Sequence, residues 1–455
     1  MDNKLAAFKA EMKNKRVTVL GIGISNLPLI RFLSGMGAVI TAADKRTEEQ
    51  LGETARELRE IGVTLKTGAD YLENIGGDYI FKTPGIRFDV PQLLAAKENG
   101  SVITSEMEVF FELCPAKIIA ITGSDGKTTT TTLVSEILKK MGCRVHLGGN
   151  IGKPLLPEIE DINPDDVAVL ELSSFQLHTM KRSPDVAIVT NMTPNHLDWH
   201  TSFEEYMDAK RNIYLHQSKD GVLVLNKTDE QSYNCRHGAK GELRFFGYDE
   251  DCAVYSKNGV IYAFGNEVMK TSDIKIPGEH NIQNYMAAIA AVGPGCEEAA
   301  KEVAETFGGV PHRIELVRVK DGVRYYNSSI DSSPNRTINT LKVFDKVILI
   351  AGGKDKGIPY DDLGPSLAEK TKALFLVGMT AGVINDALKK YAEKTGKGRD
   401  IPVNFCESYE QAVKLASAFA KEGDVVLMSN ASTSFDLFKN FEERGNLFKK
   451  LVNEL

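Results

Sequence analysis

Ten residues, Ile121 to Thr130, read ITGSDGKTTT and follow a short apolar run. A buried strand, a glycine-containing turn and a helix together point backbone N–H groups and the positive end of a helix toward one place, which favours a phosphate group. Lys127 adds a positive charge, and the hydroxyl of Thr128 can bind Mg²⁺. The segment therefore predicts a phosphate-binding loop. Ile121 stands where the strict P-loop pattern has its first glycine, so an ordinary turn that caps a helix is the alternative.

The composition limits the class of protein. A chain of 455 residues corresponds to about three domains, and 42% hydrophobic with 26% charged residues is typical of a globular protein. The net charge of −7 without a long basic run disfavours binding to nucleic acid or anionic membranes. Six widely spaced cysteines indicate reduced thiols, and no apolar run is long enough for a signal peptide or a membrane span. We expect a cytoplasmic monomer.

The first hundred residues predict a mononucleotide-binding βαβ unit. A strand at Val17 to Leu20 is followed by a glycine turn and an apolar helix, and the next strand ends in Asp44, where an acidic side chain can meet a ribose. The third glycine of the dinucleotide-binding pattern is replaced by Asn26, so NAD and another nucleotide diphosphate both remain possible. A further strand runs into Thr83-Pro84-Gly85, which is either a ligand-binding turn or a purely structural one.

The middle of the chain carries candidate metal ligands. Glu171 ends a buried strand beside the phosphate loop and predicts a Mg²⁺ ligand, with a buried glutamate paired to arginine as the alternative. His196 and His200 are four residues apart, as in zinc sites, but no nearby Glu-x-x-His or cysteine completes such a set. Ligation by His196 near the phosphate is favoured, and a surface histidine is the alternative. Lys210 lies among apolar neighbours on a helix, where a snorkelling lysine is the ordinary interpretation.

Two further patterns indicate local structure in this region. Asn258-Gly259 between short apolar runs predicts a β-hairpin on a type I′ turn. Asn281 and Asn284 are three residues apart, so they lie on the same side of the predicted helix. Buried strands in the last 145 residues end in possible ligand loops that begin at Gly352, Gly378 and Ser429.

These patterns predict an α/β protein of three domains. Residues 1–108 form a Rossmann-like domain, residues 109–310 a central P-loop ATPase-type domain with a mostly parallel sheet, and residues 311–455 a second Rossmann-like domain.

The motifs taken together resemble the Mur ligases, ATP-dependent enzymes that build the stem peptide of peptidoglycan. They occur in the family's order: TGSDGKTTT from Thr122, GGNIG from Gly148, ELSSFQL from Glu171, NHLD from Asn195, the helix of Lys210, GEHNIQN from Gly278, PHR from Pro311 and GGKDKG from Gly352. The first domain and the stretch Ser434 to Gly445 are most similar to the members that add D-glutamate to UDP-N-acetylmuramoyl-L-alanine.

The resemblance implies a reaction and its residues. A substrate carboxylate attacks the γ-phosphate of ATP to give an acyl phosphate, which the amine of D-glutamate converts to an amide. The implied ATP contacts are Gly123, Ser124, Asp125, Gly126, Lys127, Thr128, Thr129, Asn281, Asn284 and Arg313. Two Mg²⁺ ions are implied, with Thr128, Glu171, His196 and a carbamylated Lys210 as ligands, and Asn150 is implied beside the reacting carboxyl group.

The same resemblance implies two substrate regions. The residues on the UDP-sugar side are Ser25, Asn26, Asp44, Arg46, Thr83 and Gly85, so the first domain is expected to bind UDP and not NAD. The residues that receive D-glutamate are Ser332, Lys356, Ser434 and Phe441.

One stretch departs from the family pattern. Many members read N-D-S-I-A-T-S-P, whereas this chain reads NSSIDSSP from Asn327 to Pro334. The carboxylate that meets the ATP ribose is missing at Ser328, which predicts weakened ATP binding unless Asp331 takes its place.

Other functions remain as alternatives. A Mur ligase that adds a different amino acid would carry the same motifs. A folylpolyglutamate-synthase-like ligase shares the P-loop and the carbamylated lysine, but it lacks a Rossmann-like domain of this kind before the P-loop. A non-catalytic nucleotide sensor has no need of a third α/β domain with a lysine-bearing loop.

Overall fold

The structure is a computed structural model, and it describes residues 2–23, 25–355 and 357–455. The chain divides into two compact units: Met1–Asp273 with His280–Val303, and Ile274–Glu279 with Ala304–Leu455. The described residues form three β-sheets of five, nine and six strands, in which parallel pairs predominate. The predicted α/β class is therefore confirmed, while the domain boundaries at residues 108 and 310 stay predictions.

The first sheet lies in the first unit and is parallel throughout, with strand order β3-β2-β1-β4-β5. Its elements are α1 (Asp2–Met12), β1 (Arg16–Leu20), α2 (Asn26–Gly35), β2 (Val39–Asp44), α3 (Glu48–Leu51), α4 (Glu53–Glu60), β3 (Thr64–Thr67), β4 (Tyr79–Lys82), α5 (Pro91–Glu98), β5 (Val102–Thr104) and α6 (Glu106–Leu113). Because β1 lies between β2 and β4, the turns that follow these three strands meet at one edge of the sheet.

The second sheet, also in the first unit, has the order β14-β13-β12-β11-β10-β9-β6-β8-β7. Its elements are β6 (Lys117–Thr122), α7 (Lys127–Lys140), β7 (Val145–Gly149), β8 (Val167–Glu171), α8 (Ser174–Leu177), β9 (Val186–Val189), α9 (Phe203–Leu215), β10 (Val222–Asn226), α10 (Glu230–Asn234), β11 (Glu242–Gly247), β12 (Val254–Lys257), β13 (Val260–Ala263), β14 (Asn266–Lys270), α11 (Glu279–Val292) and α12 (Glu297–Thr306). The predicted hairpin is confirmed: β12 and β13 are antiparallel, and Asn258 and Gly259 have the positive φ angles, 51° and 76°, that a type I′ turn needs.

The third sheet lies in the second unit, with strand order β15-β16-β20-β17-β18-β19 and only β15 antiparallel to its neighbour among the described strands. Its elements are β15 (Glu315–Lys320), β16 (Val323–Ser328), α13 (Pro334–Leu341), β17 (Val347–Ala351), α14 (Leu363–Lys370), β18 (Thr371–Val377), α15 (Ala381–Thr395), β19 (Val403–Cys406), α16 (Tyr409–Phe419), β20 (Val425–Ser429) and α17 (Phe441–Glu454).

The central strands are buried along their whole length. Every residue of β8, β9, β17 and β20 is buried, which explains why the sequence shows continuous apolar runs there and not an alternating pattern. A parallel sheet covered on both faces by helices requires such runs. Because β6, β8 and β9 are neighbours, the polar residues that follow them gather at one edge of the second sheet. Within the described residues, no helix is long and apolar enough to cross a membrane.

Candidate active site

The predicted phosphate-binding loop, residues 123–126, is called the phosphate loop below. It joins β6 to α7, and its close packing requires two glycines. Gly126 precedes α7 with φ of 78°, and a Cβ atom at this position would lie 2.5 Å from Asn284 Oδ1. A Cβ atom on Gly123 would lie 1.9 Å from Thr190 Oγ1. The loop therefore packs so closely against its neighbours that no side chain fits at either position.

The loop is also held by its own polar side chains. Lys127 Nζ donates to the carbonyl oxygens of Gly123 and Ser124, both at 2.9 Å, so its positive charge lies over the loop. Ser124 Oγ accepts from the backbone N–H of Thr193 at 2.8 Å and lies 2.8 Å from Tyr206 Oη. These contacts attach the phosphate loop to the segment after β9 that carries His196. Of the other predicted loop residues, Asp125 is exposed and Thr129 is half-buried in the first turn of α7.

Two of the predicted catalytic or metal-binding side chains, those of Thr128 and Asn150, contact a third, that of Glu171. Thr128 Oγ1 donates to Glu171 Oε2 at 2.7 Å, and Asn150 Nδ2 donates to Glu171 Oε1, also at 2.7 Å. Glu171 is 2% exposed at the end of β8. Gly149 allows this approach, because a Cβ atom there would lie 2.2 Å from the carbonyl oxygen of Glu171. A carboxylate and a hydroxyl beside a phosphate loop are the oxygen ligands that Mg²⁺ prefers, so the residues present fit that ion.

Lys210 is buried beside the same loop, with 2% of its surface exposed. Its Nζ donates to the carbonyl oxygen of Gly123 at 2.7 Å and lies 3.3 Å from Thr122 Oγ1. Burial first, and then the nearby charge of Lys127, lower the pKa of Lys210 well below the usual value for lysine. Because its head group is buried at the phosphate loop, the snorkelling interpretation is wrong. A neutral amine is also the form that reacts with CO₂.

His196 lies in the loop after β9 and has a left-handed backbone conformation, with φ of 54°. Its ring centroid is 4.9 Å from that of Phe175. Partial burial, followed by the charges of Lys127 and Lys210, lowers the pKa of His196, although Asp198 opposes the shift. The imidazole is therefore mainly neutral at pH 7, which is the form that binds a metal ion.

Helix α11 brings the two predicted asparagines to the phosphate loop. Asn284 Nδ2 donates to Asn281 Oδ1 at 2.9 Å, and Thr130 Oγ1 donates to Asn284 Oδ1 at 3.2 Å. The prediction that both asparagines share one face of a helix is confirmed. Their contact with ATP stays a prediction.

At the edge of the first sheet, Asp44 holds the glycine turn. Its carboxylate accepts from the backbone N–H of Ile22 at 2.7 Å and from the guanidinium of Arg46 at 2.8 and 2.9 Å. Burial opposes ionisation, but the hydrogen bonds from Arg46 and from the backbone N–H groups outweigh it and lower the pKa of Asp44 to about 2. Asp44 is therefore a permanent anion that orders the turn and positions Arg46.

The other predicted UDP-sugar residues surround the same turn. Asn26 is buried, and its Nδ2 donates to the carbonyl oxygens of Leu20 and Gly21 at 2.9 and 3.0 Å. Thr83 packs on Gly21, where an added Cβ atom would lie 3.2 Å from Thr83 Cγ2. Ser25 is exposed at the start of α2, and the carbonyl oxygen of Gly85 accepts from the indole N–H of Trp199 at 3.0 Å.

The second unit contains the remaining predicted residues. Ser434 is buried, Ser332 and Phe441 are half-buried, and Arg313 is exposed. The predicted D-glutamate contact at Lys356 lies outside the described residues. The loop that begins at Gly352 is joined to the loop after β20, because the backbone N–H of Lys354 donates to the carbonyl oxygen of Thr433 at 2.8 Å.

Arg444 is a buried residue near the predicted D-glutamate residue Ser434 in the sequence, and its burial has no signal in the sequence. It is 1% exposed, its Nε donates to Ser329 Oγ at 3.0 Å, and its two terminal nitrogens donate to the carbonyl oxygens of Ser329 and Ser432 at 2.7 and 3.2 Å. It therefore connects α17 with the loops after β16 and β20. In the sequence it lies in the charged stretch FEERG, a pattern that is typical of a solvent-exposed helix face.

Asp331 is buried in the second unit with partners of its own. Its Oδ2 accepts from Thr340 Oγ1 and Ser429 Oγ, both at 2.7 Å, and 4% of the residue is exposed. These contacts favour a structural role. The ribose contact suggested by the sequence stays a prediction.

Comparison with known proteins identifies the family. The profile described as Mur ligase middle domain matches residues 121–292, and that described as Mur ligase, glutamate ligase domain, matches residues 312–431. A protein of Acetivibrio thermocellus named UDP-N-acetylmuramoylalanine–D-glutamate ligase is 54% identical over the full length of both chains. The chain belongs to the Mur ligase family. A protein of Clostridium perfringens with the same name is 48% identical, over 98% of each chain.

Solved Mur ligases have the same fold. The UDP-N-acetylmuramate-alanine ligase MurC of Thermotoga maritima matches with a TM-score of 0.57 and 19% identity, covering 97% of this chain and 99% of that one. MurF of Acinetobacter baumannii matches with a TM-score of 0.58 and 18% identity, covering 84% of this chain and 92% of that one. The predicted three-domain architecture of a Mur ligase is thus confirmed.

Proposed function

We propose that this Mur ligase adds D-glutamate to UDP-N-acetylmuramoyl-L-alanine with cleavage of ATP to ADP and phosphate, in the cytoplasmic synthesis of peptidoglycan precursors. Relatives that are 48–54% identical over nearly the whole chain are named as UDP-N-acetylmuramoylalanine–D-glutamate ligases, which supports this substrate pair. The observation that carries the chemistry is the convergence of Thr128 and Asn150 on Glu171, directly beside the lysine of the phosphate loop.

The reaction proceeds through an acyl phosphate. A carboxylate oxygen of the UDP-linked substrate attacks the γ-phosphorus of ATP, and ADP leaves. The neutral amine of D-glutamate then attacks the acyl carbon, phosphate leaves with the electron pair of the C–O bond, and the amine loses a proton. Neither step needs a nucleophilic side chain, so catalysis consists of positioning and charge neutralisation.

Residues of the first unit have distinct roles in this proposal. Lys127 neutralises phosphate charge over the loop, and Asn150 orients the reacting carboxyl group. Thr128, Glu171, His196 and the carbamate of Lys210 would hold two Mg²⁺ ions, which supply charge neutralisation when bound. The remaining ATP contacts proposed in this unit are Gly123, Ser124, Asp125, Gly126, Thr129, Asn281 and Asn284, and Arg313 of the second unit is also assigned to ATP.

Lys210 supports the proposal through its protonation state. A lysine whose pKa is lowered by burial offers a free electron pair to CO₂, and loss of a proton from nitrogen then leaves a carbamate anion. This change converts a neutral amine near Lys127 into an anionic oxygen donor for Mg²⁺. An ammonium group would repel the metal ion that the site is built to hold.

Two other groups of residues are assigned to the substrates. Ser25, Asn26, Asp44, Arg46, Thr83 and Gly85 bind the UDP-sugar, and Ser332, Lys356, Ser434 and Phe441 bind D-glutamate. We further infer that the protein acts as a monomer.

The test is phosphate release from ATP with UDP-N-acetylmuramoyl-L-alanine and one of four amines: D-glutamate, L-lysine, meso-diaminopimelate or L-alanine. Release with D-glutamate alone, lost in Lys127→Ala, is expected. Lys139→Ala is the matched control, because Lys139 lies on the same helix α7 and pairs with Glu136 on its surface. Release with a different amine, or equal loss in both variants, would overturn the proposal.

A further inference from the structure

A cluster of nitrogen and oxygen ligand atoms lies beside the proposed active site, and the proposed reaction uses none of its side chains. It consists of His178, which follows α8, His200, and Glu205 of α9, whose ligand atoms all lie within 4.8 Å of one another. His178 Nε2 is 3.2 Å from Glu205 Oε1, and His200 Nδ1 is 3.9 Å from Glu205 Oε2. In the sequence, no nearby Glu-x-x-His or cysteine completes a metal site with His200. The fold supplies two.

We propose that His178, His200 and Glu205 form a binding site for a transition-metal dication, for which Zn²⁺ is the best fit. Two imidazoles and one carboxylate with an open fourth position are a recurrent zinc ligand set. Ligand atoms at zinc bond lengths of about 2.0–2.1 Å in a tetrahedron lie about 3.3 Å apart. The 3.2 Å between His178 Nε2 and Glu205 Oε1 matches this value, and the 3.9 Å between His200 Nδ1 and Glu205 Oε2 is longer, so a bound ion would draw these two side chains closer. Nitrogen ligands select against Mg²⁺.

An unsatisfied nitrogen atom supports the site. Among the described residues, His200 Nδ1, the ring nitrogen 3.9 Å from Glu205 Oε2, is a buried side-chain atom without a hydrogen-bond partner. The other nitrogen of His200, Nε2, lies 2.9 Å from Ser174 Oγ. When Nε2 donates to this hydroxyl, Nδ1 presents a lone pair to the carboxylate of Glu205, an arrangement that is repulsive until a cation lies between them. Metal-binding histidines characteristically donate their second N–H group in this way.

The surroundings keep both imidazoles neutral and give an ion a route to them. Burial lowers the pKa of His178, and burial followed by the influence of His178 lowers that of His200 to about 4. The rings of Phe175, Trp199 and Tyr206 contact His200, with centroids 5.7, 4.7 and 5.4 Å away. A cavity of about 480 Å³ opens beside the cluster, and its lining includes His178 and three acidic residues, Glu204, Glu205 and Asp208.

Arg87 competes with a metal ion for Glu205. Its guanidinium donates to Glu205 Oε1 at 2.8 Å and Oε2 at 3.4 Å, and also to Asp89 and to the carbonyl oxygen of Trp199. Thr201 donates to Oε2 from its hydroxyl and its backbone N–H. A metal ion that takes Glu205 leaves Arg87 paired with Asp89, so metal binding and the Arg87–Glu205 ion pair oppose each other.

The first experiment titrates tag-free protein with ZnCl₂ in excess Mg²⁺ against a chromophoric zinc chelator. One Zn²⁺ per chain is expected, and His178→Gln and Glu205→Gln should each weaken binding more than about 100-fold, beyond the loss typical of an outer-shell partner. His237→Gln is the matched control, since His237 is exposed and outside the cluster. His196→Gln separates this site from the proposed Mg²⁺ ligands. Unchanged binding in His178→Gln, or its loss in His196→Gln, would overturn the proposal.

Two further measurements test the metal site even if a ligand variant folds poorly. Arg87→Gln should tighten Zn²⁺ binding about tenfold, because the positive charge that competes for the Glu205 carboxylate is removed. Co²⁺ in place of Zn²⁺ should give the intense visible absorption of a tetrahedral site. Weaker binding in Arg87→Gln, or the pale spectrum of hydrated Co²⁺, would count against the cluster as a metal site.

Discussion

Thr128 Oγ1 donates a 2.7 Å hydrogen bond to Glu171 Oε2, although 43 residues separate them in the sequence. The first residue lies in the first turn of α7, and the second ends β8, the strand next to β6. Strand order therefore assembles a hydroxyl and a carboxylate at the phosphate loop. In the proposed enzyme, these two side chains would bind one of the Mg²⁺ ions.

Glu171→Gln should lower the rate of phosphate release about 10²–10³-fold, the usual effect of removing one electrostatic contact to a transition state. The amide keeps the size of the side chain but loses the charge that attracts Mg²⁺, so part of the activity should return at high Mg²⁺ concentration. Asp165→Asn, an exposed carboxylate just before the same strand, is the control. A variant with the same rate and Mg²⁺ dependence as the unaltered protein would contradict this role.

Gly126→Ala should reduce ATP affinity strongly, because its Cβ atom would lie 2.5 Å from Asn284 Oδ1 and displace the loop. Gly142 follows the same helix with φ of 85°, but no atom lies within 4 Å of a Cβ atom added there. Gly142→Ala should therefore cost about 1 kcal/mol of stability and leave ATP affinity unchanged. Calorimetric titration with ATP compares the two variants, and equal affinities would refute the packing argument.

Lys210 should carry a carbamate, which ¹³C NMR detects after equilibration with ¹³C-bicarbonate. Lys210→Gln should lose both this signal and the ligase activity, whereas Lys181→Gln, at an exposed lysine, should lose neither. CO₂ reacts only with the neutral amine, so the signal should disappear as the pH falls and the amine takes up a proton. Because the pKa of Lys210 is lowered, this loss should occur at a lower pH than for an exposed lysine. An active protein without the signal would contradict the prediction.

Glu106 should make the protein less stable as the pH rises. It is buried at the start of α6, where its Oε1 accepts from the backbone N–H of Leu156 at 2.8 Å, and burial raises its pKa from 4.5 to about 7. Between these two values the folded chain binds more protons than the unfolded chain, so the free energy of unfolding falls by about 3 kcal/mol as the pH passes from below 4.5 to above 7.

Glu106→Gln should remove this dependence while keeping an acceptor for Leu156. Urea unfolding at pH 5 and pH 8 measures the effect, and the variant should gain most at pH 8. Glu112→Gln, at an exposed position on the same helix, is the control. An unchanged pH dependence in Glu106→Gln would show that the burial of Glu106 is not the cause.

Asp331→Ala should lower stability by about 1–3 kcal/mol, since it leaves the buried hydroxyls of Thr340 and Ser429 without their shared acceptor. The KM for ATP should not change if the carboxylate is purely structural. Thermal unfolding and ATP kinetics compare this variant with Asp345→Ala, at an exposed position in the same unit. A raised KM with unchanged stability would instead support the ribose contact suggested by the sequence.

The sequence alone determined the features that depend on neighbouring residues. The phosphate loop, the hairpin turn at Asn258 and the shared helix face of Asn281 and Asn284 all follow from backbone preferences and side-chain spacing over a few residues. A continuous apolar run likewise predicted a buried strand that ends just before Gly352, and the structure has β17 there, at Val347–Ala351. The order of the motifs along the whole chain indicated the Mur ligase family.

Only the tertiary structure decided which distant side chains meet. No local sequence signal predicts the hydrogen bond between Thr128 and Glu171 or the burial of Arg444. The same is true of the cluster formed by His178, His200 and Glu205. Each depends on the order of strands in a sheet and on how helices pack across it, and these are set by the sum of many weak apolar contacts between residues far apart in the chain. Local spacing therefore predicts the elements and their loops, while the ligand sets arise from long-range packing.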